Sequence, residues 1–484
     1  MVLQQGLGLD ALVAALAPRV VLGAAGIQVR ELAYDTRAVR PGTLFFCVPG
    51  ARADGHDFAP AAVAAGASAL VVERPLELDV PQLVVSDARG AMAVAADAFF
   101  KHPSHELEVA GVTGTNGKTT TAYLLHSILE AARRRPGLLG NIERRVGGVS
   151  EPSGLNTPEA IDLQRLLRRM VDAGDRSCAL EASSHASTLR RLDRVRFAVL
   201  VFTNLTQDHL DFHGSMERYF QAKERLFLEG EVRAAAVNVD DAYGRRLAQG
   251  LRIDTTTFGC SQEADVRAQG VEVLTTGIRM RVDGVEVRTS LRGRFNVENV
   301  LAAYVAATLL GIDGPTAAAG IAGLSDVPGR LEAVEEGQGF TVLVDYAHTP
   351  DSLSRVLGAA RELASGSLVC VFGCGGDRDR GKRPLMGRVA AELADRAVVT
   401  SDNPRSEEPL AIIDEVLAGD ESGRLEVEPD RRAAIVRALE GAEAGDVVVI
   451  AGKGHETGQE IGGETLPFDD RAVAREALGA AARA

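Results

Sequence analysis

Val112-Thr113-Gly114-Thr115-Asn116-Gly117-Lys118-Thr119-Thr120 is the stretch that decides the fold. An apolar run with Leu107, Val109 and Val112 leads into it and reads as a buried strand. Ala122, Leu125, Ile128, Leu129 and Ala132 follow at helical spacing. Strand, glycine-rich turn, Lys-Thr and helix is the layout that holds a nucleoside triphosphate. Glycines let backbone N–H groups approach phosphate oxygens, and a helix N-terminus favours their negative charge. Lys118 is then placed to reach the β- and γ-phosphates, and the Thr119 hydroxyl to bind Mg²⁺. The strict pattern G-x-x-x-x-G-K-[ST] fails by one residue, because position 112 is Val and the nearest glycine is Gly111. The Lys-Thr pair and the flanks still favour a phosphate site over an ordinary strand-to-helix turn.

The stretch sits in a chain of 484 residues, enough for about three domains. Hydrophobic residues at 46% and charged residues at 25% are ordinary values for a globular protein. The net charge of −14 argues against a general nucleic-acid-binding surface. An acidic protein with anionic ligands must concentrate its Lys and Arg in the site. No run of 18 apolar residues and no signal-peptide pattern is present, so membrane insertion is not expected and cytoplasm is the default. Five cysteines (Cys47, Cys178, Cys260, Cys370, Cys374) lie mostly in apolar runs and read as buried free thiols.

Strand-like runs on either side of the loop alternate with helical patterns, which predicts an α/β chain in three parts. Residues 1–104 form a small α/β unit with strands at Thr43 to Val48, Ala69 to Val72 and Gln82 to Val85. Residues 105–328 hold the phosphate loop and strands at Cys178 to Ala182, Phe197 to Thr203 and Ala234 to Val239. That alternation predicts a parallel sheet with helices on both faces. Residues 329–484 form a third α/β unit with strands at Val342 to Asp345, Leu368 to Phe372, Ala397 to Thr400 and Val447 to Ala451.

Ligands of open α/β sheets sit at the carboxyl ends of strands, so the polar sequences after each strand are the places to look. Glu181-Ala182-Ser183-Ser184-His185 follows one strand, and Thr203-Asn204-Leu205-Thr206-Gln207-Asp208-His209-Leu210-Asp211 follows the next. Mg²⁺ takes oxygen ligands, which Glu181 and Thr119 supply, and His209 could complete a second site. Alternatively, His209 and His213 merely begin a helix. Lys223 reads, by composition, as an ordinary helix-surface lysine. In the third unit, Gly373 to Arg383 is dense in guanidinium groups, and Ser401-Asp402-Asn403-Pro404-Arg405 follows the next strand. Arg takes carboxylates through paired hydrogen bonds and Asp takes ammonium groups, so the two stretches suit a zwitterionic amino acid. Gly452-Lys453-Gly454-His455-Glu456 adds a further carboxylate.

Taken together, these motifs resemble the Mur ligase family, over about Asp35 to Asp470. Thr113 to Thr120 matches the family's phosphate loop, which accounts for the missed strict pattern. The Glu181 and Asn204 stretches, Asn296-Val297-Glu298-Asn299 and Asp345-Tyr346-Ala347-His348 stand in the family's order. The resemblance implies an N-terminal domain for a UDP moiety, a central ATPase with a mostly parallel sheet and a C-terminal Rossmann-like domain. It implies an ATP-dependent carboxylate–amine ligase of peptidoglycan precursor synthesis, acting as a monomer on small molecules. Two Mg²⁺ ions would be bound by Thr119, Glu181, His209 and Lys223, the lysine being carried as a carbamate. Lys118, Glu181, His209 and Lys223 would form the catalytic set. Gly114, Thr115, Asn116, Gly117, Lys118, Thr119, Thr120, Asn299, Arg330 and Asp345 would hold ATP.

For the UDP-sugar dipeptide the family pattern lands on Tyr34, Thr36, Arg52, Ala53 and Asp54, then on Asn156, Thr157, Ser183, Leu189 and Arg191. The chain departs from the pattern at Leu155-Asn156-Thr157-Pro158, where a further Thr is usual. For the amino acid it lands on Arg378, Asp402, Asn403, Pro404, Arg405, Gly452 and Glu456. Asp-Asn-Pro-Arg is the tetrapeptide of members that add meso-2,6-diaminopimelate to UDP-N-acetylmuramoyl-L-alanyl-D-glutamate through an acyl phosphate. Arg405 is suited to the second carboxylate of that amino acid, and without it would be left in a closed site as a buried unpaired charge. Two rival readings are a folylpolyglutamate synthetase, which lacks the N-terminal unit and the tetrapeptide, and a nucleotide-binding regulator, which would not need Lys118, Glu181, His209 and Lys223 intact.

Overall fold

A computed structural model describes residues 6–23, 26–50, 53–274 and 276–481. Its strands fall into three main sheets. The first, of five strands, runs in the order Val20–Leu22, Gln82–Val84, Ala67–Val72, Thr43–Phe46, Glu31–Ala33. Only its first pair is antiparallel.

The second sheet has eleven strands, and Glu108–Thr113, which leads into the phosphate loop, lies between Ser177–Glu181 and Val199–Phe202. The interior of this sheet is parallel, as the alternating pattern predicts. Both ends are not. Pro136–Leu139, Glu143–Val146 and Val149–Pro152 turn back on one another at one edge, and Val266–Leu274, Gly277–Val282 and Val285–Thr289 do so at the other. Gly277–Val282 and Val285–Thr289 carry charged residues at alternate positions and are buried on one face only, whereas Glu143–Val146 begins with three consecutive charges. The run expected as one strand from Phe197 to Thr203 is two: Arg196–Phe197 pairs with Glu231–Val232, and Val199–Phe202 joins the main sheet.

Apolar cores cover both faces of the second sheet. One contains the helices Lys118–Ala131, Asn296–Leu309 and Gly314–Gly323. The other contains Ala160–Ala173 and Met216–Leu228. Ala160 and Ile161, at the start of Ala160–Ala173, also pack into the core of the first sheet, which ties the two units together. The third sheet has six strands in the order Glu332–Ala333, Thr341–Asp345, Val447–Ala451, Leu368–Phe372, Arg396–Val399, Leu425–Val427, all parallel except the first pair. Four of the five cysteines are buried free thiols, whereas Cys260 is exposed, contrary to the expectation for the set. Among the described residues no helix is long and apolar enough to cross a membrane.

Candidate active site

The phosphate loop is shaped as much by its protein neighbours as by any ligand. Gly114 has φ +147°, and a Cβ there would lie 1.9 Å from Thr203 Oγ1. Gly117 has φ +85°, and its Cβ would lie 2.1 Å from Asn299 Oδ1. Only glycine fits both positions. Val112, where the strict pattern wants glycine, is a fully buried strand residue. The stretch after Val199–Phe202 braces the loop: Thr203 Oγ1 donates to Asn116 O (2.6 Å), Asn116 N donates to Asn204 Oδ1 (2.9 Å) and Thr115 N donates to Asn204 O (2.9 Å). Gly117 caps the helix Lys118–Ala131. Lys118 Nζ lies over the loop, donating to Gly114 O (2.9 Å) and Thr115 O (2.7 Å).

Around this loop is a cavity of about 230 Å³, lined by residues 115–120, Glu181, His209, Asn299, Arg330 and Asp345. The residues expected to hold ATP therefore converge, apart from Gly114, which lies beneath. Thr119 Oγ1 donates to Glu181 Oε2 (3.1 Å) and accepts from Arg330 Nη2 (3.3 Å). Glu181 Oε1 accepts from Asn141 N (2.8 Å), and the carboxylate is buried. Arg330 stacks over Tyr346, 4.7 Å from the ring centre. Asp345 accepts from Leu331 N and Ala347 N, both at 2.7 Å, and burial pushes its carboxyl up from the usual range. Asn299 is oriented by donating to Asn296 Oδ1 (2.7 Å).

His209 has φ +54° and immediately precedes the short helix Leu210–His213. Its ring packs edge-on against His185, at 4.7 Å. Burial pushes its imidazole down to about 4, so it is neutral at pH 7, the form that binds a metal. Lys223 is not the surface lysine that composition suggests. It is 1% exposed on Met216–Leu228, and Nζ donates to Gly114 O (2.7 Å) and sits 4.7 Å from the Tyr219 ring. Burial, with Lys118 nearby, lowers its pKa well below the ordinary lysine value. Among the described residues no three His, Cys, Asp or Glu side chains form a ready metal cluster. A divalent ion here would need the Thr119 hydroxyl and an acidic modification of Lys223 as well as Glu181 and His209. Thr119, Glu181 and such a modified Lys223 would supply the hard oxygens that Mg²⁺ takes, and His209 would add one nitrogen.

A second cavity of about 790 Å³ adjoins the first and shares Asp208, His209, Tyr346 and His348 with it. Its far wall brings together Arg378, Asp402, Asn403, Arg405, Gly452 and Glu456. Asn403 Nδ2 donates to Glu456 Oε2 (2.8 Å), and the fully buried Lys453 Nζ donates to Asn403 Oδ1 (2.9 Å) and Glu456 Oε2 (3.0 Å). Asp402 Oδ2 is buried with no hydrogen-bond partner, and a Cβ at Gly452 would lie 2.3 Å from it. Pro404 O lies so close to Gly376 that a Cβ there would stand 1.9 Å away. Two expectations need correction. Of the arginines after Leu368–Phe372, Arg383 is fully buried on Glu407 (2.7 Å) and Glu415 (2.8 Å) and Arg380 also pairs with Glu415, so both brace the loop and only Arg378 faces the cavity. Arg405 is not unpaired: Nε lies 2.7 Å from Glu460 Oε2.

Of the residues expected to hold a UDP-sugar dipeptide, Tyr34 reaches from the first unit to the second. Tyr34 OH donates to Asp162 Oδ2 (2.9 Å), and Asp162 and Arg165 also line a cavity containing Asn156. Thr36 lies on the three-ten helix Thr36–Ala38. Thr157 Oγ1 donates to Glu181 O (2.8 Å), Arg191 Nη1 donates to Thr157 O (3.1 Å), and Ser183 and Leu189 flank the helix Ser184–Thr188. Asn156 Oδ1 is buried without a partner. Asp54 is held by His56 and Arg74, near Ala53, and Arg52 lies outside the described residues. Sequence reasoning passed over Asn141 and Asp351, and gave Lys382 and Lys453 no role within stretches that it singled out. Nothing in the local sequence of Asn141 or Asp351 marks them.

Known proteins bear on this geometry. Residues 28–121 match the Mur ligase family catalytic domain, 112–307 the Mur ligase middle domain and 329–454 the Mur ligase glutamate ligase domain. The chain is 47% identical over 464 residues to UDP-N-acetylmuramoyl-L-alanyl-D-glutamate–2,6-diaminopimelate ligase of Geobacillus kaustophilus (strain HTA426), spanning 93% of this chain and 95% of the relative. It is 48% identical over 463 residues to the protein of the same name from Gloeobacter violaceus (strain ATCC 29082 / PCC 7421), spanning 93% and 94%. A solved structure of a ligase of this name superposes with a TM-score of 0.70 at 32% identity, covering 99% of each chain.

Proposed function

Because the chain belongs to the Mur ligase family, we propose that it is the ATP-dependent ligase adding meso-2,6-diaminopimelate to UDP-N-acetylmuramoyl-L-alanyl-D-glutamate in peptidoglycan synthesis. The observation that carries this reading is the adjacency of two cavities with shared lining residues, one on the phosphate loop and one walled by Asp402, Asn403 and Arg405. Residues 1–104 would receive the UDP moiety, 105–328 ATP and 329–484 the amino acid.

Joining a carboxylate to an amine is uphill in water. ATP makes it downhill by transferring its γ-phosphoryl group to the D-glutamate γ-carboxylate, giving an acyl phosphate and ADP. The amine of diaminopimelate then attacks the acyl carbon, the C–O bond to phosphate breaks, and the amine loses a proton. Such a transfer needs positioning and charge neutralisation rather than a protein nucleophile. Lys118 supplies one positive charge beside the loop. Thr119, Glu181, His209 and a carbamate on Lys223 would hold two Mg²⁺ ions, which supply further neutralisation of phosphate charge when bound. The depressed pKa of Lys223 supports that modification, since only the neutral amine adds to CO₂. Asp402, whose Oδ2 accepts no hydrogen bond and lies 3.9 Å from Arg431 Nη1, would take the distal ammonium and Arg405 the distal carboxylate.

An amino-acid panel with ATP and the UDP-muramoyl dipeptide tests the reading. Phosphate release is expected only with both co-substrates present, with meso-diaminopimelate far ahead of L-lysine. Sites built for a polar group can reject an analogue lacking it by about 10⁴-fold. The Glu460 carboxylate keeps Arg405 paired, so discrimination here is expected to fall below that figure. Efficient use of L-lysine would overturn the amino-acid assignment alone. Phosphate release indifferent to both co-substrates would overturn the ligase reading.

A further inference from the structure

The Asp402–Arg405 stretch is clasped by the hairpin of Gly458–Ile461 and Glu464–Pro467. Arg405 N donates to Glu460 O (3.0 Å), and Gly462 N donates to Arg405 O (2.7 Å). Glu460 N donates to Asn403 Oδ1 (3.0 Å). These bonds hold Arg405 at φ +55°, a left-handed conformation that a long side chain rarely adopts. Its guanidinium is fixed in turn: Nη1 donates to Gly376 O (2.8 Å), and Nε meets Glu460 Oε2 at 2.7 Å. The pair stands at the rim, with side-chain exposures of 24% for Arg405 and 49% for Glu460.

We propose that Glu460 is a specificity-determining residue whose carboxylate competes with the distal carboxylate of the incoming amino acid for the Arg405 guanidinium. The inference rests on the amino-acid site proposed above and deepens it. A guanidinium offers five N–H donors in a fixed fork, and a carboxylate binds best across two of them. Glu460 already holds Nε, and the Gly376 carbonyl takes Nη1. A substrate carboxylate therefore meets a cation that is partly neutralised and lacks a free Nε edge. An amino acid without that carboxylate leaves Arg405 paired, so the cost of accepting it is reduced. Glu460 thus weakens binding of the dicarboxylic amino acid and softens rejection of the monocarboxylic one.

Glu460→Gln keeps an acceptor for Nε and removes the competing charge. Its KM for meso-diaminopimelate is expected to fall about three- to fivefold at low ionic strength, the scale of an exposed ion pair. The difference should shrink at about 1 M salt, where the Debye length is ~3 Å. L-lysine should become a poorer substrate and the KM for ATP should not move. Glu460→Asp, which restores the charge, should bring the diaminopimelate KM back towards the wild-type value. A KM for diaminopimelate that is unchanged or raised in Glu460→Gln overturns the assignment. A wild type with no diaminopimelate-dependent phosphate release overturns the functional reading itself, and this inference with it.

Discussion

The Lys223 amine donates to the Gly114 carbonyl from a site with almost no access to water, and burial lowers its pKa well below the ordinary lysine value. Burial disfavours the ammonium form of this amine and favours the neutral form, which can become a carboxylate-bearing carbamate. Lys223→Ala should therefore lose ligation on the order of 10²-fold, the cost of removing a preorganised charge-stabilising group. Added acetate or propionate should restore part of it, because their oxygens can enter the space the carbamate leaves. Phosphate release that depends on both co-substrates is the measurement. A fully active variant would reduce Lys223 to a packing role. Composition could not distinguish this lysine from any other on an amphipathic helix, and only the motif order singled it out. The reverse holds for Arg380 and Arg383, which look like ligand-binding arginines in sequence yet are spent on Glu407 and Glu415.

Helix packing behind the phosphate loop sets a second constraint. Gly320 on Gly314–Gly323 lies against the phosphate-loop helix, where an added Cβ would come within 2.4 Å of Ile128 Cα. Ser127 Oγ donates to Gly320 O (2.7 Å) across the same contact. Alanine is the better helix former by about 1 kcal/mol, but a backbone collision cannot be relieved by a rotamer change. Overpacking costs about 1–3 kcal/mol, so Gly320→Ala should lower the midpoint of urea unfolding, and an unchanged or raised midpoint would sink the argument. Elements of this kind differ in how plainly they are written. The buried parallel strands Leu368–Phe372 and Val447–Ala451 are continuous apolar runs, and both have the limits the sequence suggests. The edge hairpins carry charges within their strands and lack such runs, so their antiparallel pairing was not legible. The close approach at Gly320 depends on two helices far apart in the chain, which no local pattern records.

At the scale of the whole molecule, the third sheet's unit meets the phosphate loop through the Arg330 bond to Thr119 and through one carboxylate. Asp351 lies in the first turn of Pro350–Leu363 and accepts from Asn116 Nδ2 (2.8 Å) and Thr206 Oγ1 (3.1 Å). Asn116 belongs to the loop and Thr206 to the stretch that braces it. Arg355 Nε also donates to Asp351 (3.1 Å), fixing the carboxylate from its own helix. The amino-acid wall and the ATP cavity belong to different units, so their relative placement sets the distance between amine and acyl carbon. A misplacement of about 1 Å can cost on the order of 10²-fold in rate. Asn116→Ala and Asp351→Ala should each reduce kcat/KM for ATP, by about 5- to 30-fold. If both act through the one bond, the double variant should lose little more than the worse single variant. Residues in direct contact couple by about 0.5–3 kcal/mol, which a double-mutant cycle on kcat/KM resolves. Strictly additive losses would mean that Asp351 does not act through Asn116, and a faster Asp351→Ala enzyme would mean that its negative charge opposes the phosphates more than its hydrogen bonds help.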